Sequence, residues 1–242
     1  MTEKITRHDA NGLCTLTLNR PEKLNALDTE LFAQLDAHLA ALETQTDTIG
    51  CVVLRGAGRG FCAGADLGAI GTALGDYKPK IIERLGRLPQ PSIAAVHGVC
   101  YTGALELALA CDFIVADVSA RFADTHGKWG LVGNWGISQR LPRRIGTPAA
   151  KRLSLTARTI GATEALAIGL IDELAEAGGL DALVERFTAE ILANSWHTNL
   201  HTKQFMLDTE GMSLAEGLQH ERDNYPGFAP DYAERVAKFG KK

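Results

Sequence analysis

Cysteine is scarce in this chain and its pattern is unpaired: Cys14, Cys51, Cys62, Cys100 and Cys111 are five in number, widely spread, with no C-x-x-C pair. An odd, scattered set excludes a disulfide framework and offers no zinc spacing, so each reads as a small, reduced, buried residue. Long apolar runs are also missing. The longest, near residues 93–96 and 104–110, are interrupted by His97, glycines and Glu106, and fall short of the roughly 20 residues that span a bilayer. No excess of positive charge exists either: 25 Lys and Arg stand against 29 Asp and Glu, a net charge of −4 with no basic stripe, which argues against nucleic acid as a partner. The polar start Met1-Thr2-Glu3-Lys4 is unlike a secretory leader, so a cytoplasmic protein with no membrane partner is expected. A nucleotide-hydrolase phosphate loop needs Gly-Lys-Ser or Gly-Lys-Thr, and the sequence has neither.

What the chain does have is 45% apolar residues in a length of 242, enough for one well-buried domain with or without an appendage. Asn11-Gly12 lies between two short runs, the second alternating through Leu13 to Leu18, which predicts a hairpin. Asp28 is placed to cap a helix carrying Leu31, Leu35, Leu39 and Leu42. Residues 51–54 read as a buried strand that delivers the chain into a glycine-rich loop. Between Gly68 and Pro79 the pattern allows loop or short helix. A helix through Ile81, Ile82, Leu85 and Leu88 then ends at Pro89 and Pro91. A strand over 92–96, a glycine turn, a helix over 104–110 and a strand over 112–116 follow. Strand, loop and helix thus repeat twice with buried strands, the signature of an α/β fold built from crossover units. Residues 121–136 read as an irregular, pocket-facing loop. From Thr147 onward the chain reads as mainly helical, with one short strand at 171–174. The division expected is a core over residues 1–194 and a helical region over 195–242, whose dispersed apolar residues need a surface to pack on.

Two stretches carry the chemistry. The first runs Arg59-Gly60-Phe61-Cys62-Ala63-Gly64-Ala65-Asp66, too small in side chain for a core and too rich in glycine for a helix. The second runs His97-Gly98-Val99-Cys100-Tyr101-Thr102-Gly103-Ala104-Leu105-Glu106. Gly58-x-Gly60-x-x-Ala63 loosely fits a dinucleotide fingerprint, but further glycines stand where its helix should begin. Main-chain N–H groups near Ala65 and Gly103 can instead converge on one oxygen as an oxyanion hole; ordinary tight turns are the alternative. Glu106, among Leu105, Leu107 and Leu109, favours the first. A carboxylate in such apolar surroundings is costly unless paired or functional, and burial raises its pKa toward that of a general base. His197 and His201 are spaced i, i+4 without a third ligand, so they read as a helical pair and no metal is expected.

Phe61-Cys62-Ala63-Gly64-Ala65-Asp66-Leu67, Gly103-Ala104-Leu105-Glu106-Leu107-Ala108 with Cys111-Asp112, and Gly136-Ile137-Ser138-Gln139-Arg140-Leu141-Pro142 together resemble the enoyl-CoA hydratase/isomerase, or crotonase, family. Asn19-Arg20-Pro21-Glu22-Lys23-Leu24-Asn25-Ala26-Leu27 is similar to its N-terminal signature. The resemblance implies a spiral of repeated ββα crossover units followed by C-terminal helices that build trimers, commonly paired into hexamers. It implies acyl-CoA thioester substrates, with coenzyme A as part of the substrate and no further cofactor. The enolate oxygen would be held at Ala65 and Gly103, and Lys23, Leu24, Ala63, Gly64, Asp66 and Leu67 would lie beside the ligand. Lys23, Arg55 and Arg59 would neutralise CoA phosphates, a merely solvated rim being the alternative, while Trp129 and Trp135 would shape the acyl pocket. One departure stands out. The family's hydratases use a second glutamate, and its register falls on His126, with Asp124 nearby but out of register; the carboxylate position of its isomerases falls on Asn134. The reading is therefore hydration of a 2-trans-enoyl-CoA with Glu106 as base and His126 as second group, or with Glu106 making both proton transfers while His126 only positions water. Other acyl-CoA enolate chemistry (isomerisation, decarboxylation or C–C hydrolysis) and a catalytically silent acyl-CoA binder are the alternatives.

Overall fold

The computed structural model of the chain describes residues 3–69 and 75–239. β1 (Ile5–Ala10) and β2 (Leu13–Leu18) form the expected hairpin, closed by Asn11 and Gly12 with φ of 52° and 82°, the left-handed pair that a two-residue turn needs. Asp28 caps α1 (Thr29–Leu42), accepting from the Leu31 N–H at 2.8 Å, and the leucine stripe of that helix is fully buried.

From β2 the chain crosses repeatedly over one sheet. β3 (Cys51–Gly56), α2 (Tyr77–Gly86), β4 (Ser92–Val96), β5 (Val99–Tyr101), α3 (Gly103–Ala108), β6 (Phe113–Asp117) and β7 (Arg121–Ala123) come in that order. They are followed by α4 (Ile137–Ile145), α5 (Thr147–Thr156), β8 (Thr159–Gly161), α6 (Ala162–Ala167), β9 (Glu173–Ala175) and α7 (Leu180–Leu192). The larger sheet has the order β1-β2-β3-β4-β6-β9, parallel from β2 to β9. Its central strands β3, β4 and β6 are buried on both faces, as parallel strands are, while β1 is a more exposed antiparallel edge. Alternate residues divide between two cores: Val52, Leu54, Ala94 and Val96 face α1 to α3, while Cys51, Val53, Ile93 and Ala95 face α7 through Leu183 and Val184. This is the period-2 pattern of a pleated strand.

A second layer stacks the successive turns. Isolated parallel bridges join Leu27 to Ala65 and Cys62 to Cys100, and β5 pairs with β7, which pairs with β8. The result is the expected spiral of ββα crossovers, an α/β fold.

Two expectations need correction, and one helix was not expected. Residues 121–136 are not a continuous irregular loop: β7 and a 3-10 turn over His126–Trp129 interrupt it, because Phe122 and Ala123 are buried against β5 and β8. The helix α4 was hidden by Pro142, yet Ile137 and Leu141, one turn apart, are buried. Residues 99–101 pair as a strand rather than only turning. Of the 68–79 segment, residues 70–74 lie outside the described residues.

The tail is helical, as expected, with α8 (Trp196–Asp208), α9 (Leu214–Asp223) and α10 (Tyr232–Phe239). The Trp196 ring covers Gly12 and Gly50, where any Cβ would lie 2.4 Å from the indole. Lys203 reaches Asp112 at 2.7 Å and the Gln90 carbonyl at 3.0 Å. Beyond α8 the apolar side chains are open, with Leu214 80% and Phe239 86% exposed. Among the described residues no helix is long and apolar enough to cross a membrane.

Candidate active site

The glycine-rich loop is held from beneath by one side chain. Asn25 is fully buried with φ of 56°, and its Nδ2 donates to the carbonyls of Ala57, Gly60 and Phe61 at 2.9, 2.9 and 3.1 Å. Its Oδ1 accepts from the Arg20 N–H at 2.9 Å. Asparagine suits the place because it tolerates the left-handed region and carries donor and acceptor together. The Ala63 N–H donates to the Leu24 carbonyl, and Leu27 and Ala65 pair through the Gly64 carbonyl and the Asp66 N–H. Asp66 itself is tied to Arg20 at 3.1 Å. Leu24, Gly64 and Asp66 thus build and brace the loop, Ala63, Ala65 and Leu67 face the cavity, and Lys23 is exposed on the turn Pro21–Lys23.

Thr102 directs the second stretch. Its φ of 55° and ψ of −111° are unfavourable for a β-branched residue, a strain on the order of 1–3 kcal/mol that the surroundings must hold. They do so through the Ala123 carbonyl, which accepts the Thr102 N–H at 2.8 Å, and through a 2.5 Å hydroxyl contact with Thr125. Gly103 follows at the start of α3, so closely packed that a Cβ on it would sit 2.5 Å from the Trp135 ring and 3.3 Å from the Ala65 nitrogen. Among the described residues, neither the Ala65 nor the Gly103 N–H donates to a backbone carbonyl. The two predicted loops therefore meet, and glycine is required where they do.

Glu106 lies on α3, 1% exposed. Its Oε1 accepts from the backbone N–H groups of Trp135 and Ile137 at 2.9 and 3.1 Å. Its Oε2 faces His126 Nε2 at 3.7 Å. Burial pushes the Glu106 carboxyl above its ordinary range, against the opposing pull of His126 and the two N–H donors. On the far side of the imidazole, Nδ1 lies 2.7 Å from Asp124 Oδ1. Burial would lower the His126 pKa, but the bond to Asp124 and the charges of Glu106 and Asp124 outweigh it and the value rises. Asp124 is itself buried; burial favours its neutral form, yet the hydrogen bonds from the His126 ring and backbone N–H hold its carboxyl below the usual range.

The two loops, Glu106 and His126 border a cavity of about 740 Å³. Ala65, Gly103, Glu106 and His126 line it together with Trp135, and Trp129 and Asn134 join its wall. Leu131 and Val132 join that wall from the segment expected to face a pocket, whereas sequence reasoning missed Tyr77 and Lys78, since nothing in their local pattern separates pocket from surface. It also set Asp124 aside for being out of register with the second acid; the relevant spacing was Asp-x-His, two residues apart in one turn. Of the proposed phosphate neutralisers, Arg55 pairs with Asp181 at 2.8 Å, whereas Lys23 and Arg59 are exposed. The rings of His197 and His201 pack on each other 4.4 Å apart. No cluster of three or more metal-ligating side chains occurs among the described residues.

The profile of the enoyl-CoA hydratase/isomerase family matches residues 8–234. The chain is similar to the 1,2-epoxyphenylacetyl-CoA isomerase of Escherichia coli K12, 34% identical over 252 residues covering 99% of this chain and 96% of that protein. It is similar to the short-chain-enoyl-CoA hydratase of Clostridium acetobutylicum, 34% identical over 76% of this chain and 73% of the relative. The crystal structure of an enoyl-CoA hydratase from Bacillus anthracis superposes with a TM-score of 0.91 at 30% identity, covering 98% of this chain and 96% of that one.

Proposed function

This chain belongs to the enoyl-CoA hydratase/isomerase family, and on that premise we propose that it is a hydro-lyase adding water to 2-trans-enoyl-CoA thioesters, or removing it. The observation that carries the reading is Glu106 and His126 facing each other at 3.7 Å on the wall of a cavity that also holds Ala65 and Gly103. A gap of 3.7 Å is too long for a direct hydrogen bond, but a water about 2.8 Å from both atoms fits it at an angle of about 83°.

In this scheme the thioester oxygen sits against the N–H groups of Ala65 and Gly103. Glu106 takes a proton from the water as its oxygen bonds to the β-carbon. The π electrons move onto the thioester oxygen, and the enolate is held by the two N–H donors, each worth about 3 kcal/mol in the transition state. Protonated His126 delivers a proton to the α-carbon from the same face, giving syn addition, and the proton on Glu106 then returns to His126. The raised Glu106 pKa gives the carboxylate the basicity this step needs, and the raised His126 pKa keeps the acid form present near neutrality.

Coenzyme A is read here as part of the substrate, running past Ala63 and Leu67 with Lys23 and Arg59 near its phosphates. The exposed apolar side chains of α9 and α10 suit a homotrimer, or a hexamer of two. The imidazole in place of a second carboxylate also suits decarboxylation or C–C hydrolysis through the same enolate. Turnover across enoyl-, β-keto- and malonyl-type CoA esters decides: consumption of the enoyl ester alone supports the hydratase, preferential consumption of another class replaces it, and tight binding without turnover makes the protein a silent binder.

A further inference from the structure

Asp124 is buried and is not among the residues lining the cavity, yet it makes the shortest contact of the imidazole, 2.7 Å from Nδ1. Its geometry leaves little freedom. The same Oδ1 accepts the His126 backbone N–H at 3.3 Å, closing a local ring that fixes the carboxylate beneath the histidine. The imidazole is walled in as well: a Cβ on Gly133 would lie 2.8 Å from its Cε1 and 3.1 Å from its Nδ1. Rotating the ring by half a turn would put Cδ2 where Nδ1 stands and forfeit the bond to Asp124.

We propose that Asp124 is a positioning residue for the hydration reaction: it holds the proton of His126 on Nδ1, so that Nε2 faces Glu106 and the cavity as the atom that exchanges protons. This rests on the hydratase reading above for its kinetic consequence, but the tautomer is a property of the protein alone. A carboxylate accepts and cannot donate to a neutral imidazole, so an ionised Asp124 at hydrogen-bond distance dictates the Nδ1–H form. Nε2 is then the site that gains a proton when His126 becomes the imidazolium and gives it up to the α-carbon. During reset the proton taken up by Glu106 passes to the same Nε2. One proton is thereby shared between Glu106 and Nε2 through the cycle, and Asp124 neither gains nor loses one. The charged groups acting on the imidazole are Glu106 from α3 and Asp124, the residue after β7; on the segment leading into α4, Gly133 packs close to the ring.

The test uses the full chain with Asp124→Asn and Asp124→Ala. Asparagine can still accept the Nδ1 proton but lacks the charge; alanine does neither. Long-range proton–nitrogen NMR on ¹⁵N-histidine-labelled protein should show the Nδ1–H tautomer of neutral His126 in the parent chain and in Asp124→Asn, and its loss in Asp124→Ala. With crotonyl-CoA, kcat should fall at least about tenfold in Asp124→Ala and less in Asp124→Asn, with KM within about twofold in both. In Asp124→Asn the alkaline limb of the kcat profile should move to lower pH, because removing the negative charge eases deprotonation of His126. An Nε2–H tautomer in the parent protein overturns the proposal, as does a kcat for Asp124→Ala within about threefold of the parent. Should the parent chain turn over no enoyl-CoA, the hydratase reading falls, and the NMR result still decides the role of Asp124.

Discussion

Removing Asn25 should damage both the fold and the site, and its bonds say by how much. In Asn25→Ala the carbonyls of Gly60 and Phe61 lose a buried donor, the Ala57 carbonyl loses a partly buried one, and the Arg20 N–H loses its acceptor. A buried group left unpaired costs about 1–3 kcal/mol, and alanine at a φ of 56° adds on the order of 1 kcal/mol. With relaxation and water entry the total should be about 3–5 kcal/mol. For a chain of this length that is a fall in Tm on the order of 10 °C. Asn25→Asp is the sharper variant. It keeps the Arg20 contact and the left-handed backbone but turns a carboxylate toward three carbonyls, so at pH 8 it should be no more stable than Asn25→Ala. The sign with pH follows: the new carboxyl has a folded pKa raised above its unfolded value, so stability is lost as pH rises from the unfolded value through the folded one. The deficit of Asn25→Asp relative to the parent should therefore shrink at pH 5. Thermal unfolding followed by circular dichroism at both values measures this. A Tm for Asn25→Ala within about 2 °C of the parent would refute the assignment of Asn25 as the clamp beneath the loop.

Gly103→Ala forces a Cβ to 2.5 Å from the Trp135 ring, whose backbone N–H holds Glu106; kcat/KM for crotonyl-CoA should drop by about 10²-fold or more, and a drop under threefold contradicts the packing described. Glu106→Gln should raise Tm at pH 8, because the parent's buried carboxyl, with its folded pKa raised, loses stability as pH rises above its unfolded value near 4.5. That advantage should vanish toward pH 4, and a variant less stable at pH 8 counts against it. All five cysteines are buried, with the thiols of Cys14, Cys51, Cys62 and Cys111 pushed up to about 12 by burial. A disulfide reagent such as DTNB should accordingly label none of them in minutes in the native protein and all five in guanidinium; rapid native labelling of any one contradicts that burial.

Much of the fold could be read locally. The Asn11-Gly12 turn, the Asp28 cap with its leucine stripe and the apolar run at Cys51 each state their structure in a few residues. What escaped was set by distant contacts. β7 is only three residues long and exists because β5 and β8 flank it. In α4 a proline masks a helix whose Ile137 and Leu141 are drawn into the core. At the site, glycine spacing and a lone glutamate in a leucine helix pointed to Gly103, Ala65 and Glu106, since close approach and buried charge leave composition signatures. Asp124 left none. A carboxylate two residues before a histidine is common, and only the turn over His126–Trp129 aims its oxygen at Nδ1.

The central claim is that Glu106 and His126 act together on an enoyl thioester. Its most direct test follows the conjugated absorbance of crotonyl-CoA with the parent protein, Glu106→Ala and His126→Ala side by side. The account predicts loss of that absorbance with the parent, no detectable loss with Glu106→Ala, and a kcat reduced by 10²-fold or more with His126→Ala. Unchanged turnover in Glu106→Ala, or a His126→Ala rate within about threefold of the parent, would contradict it.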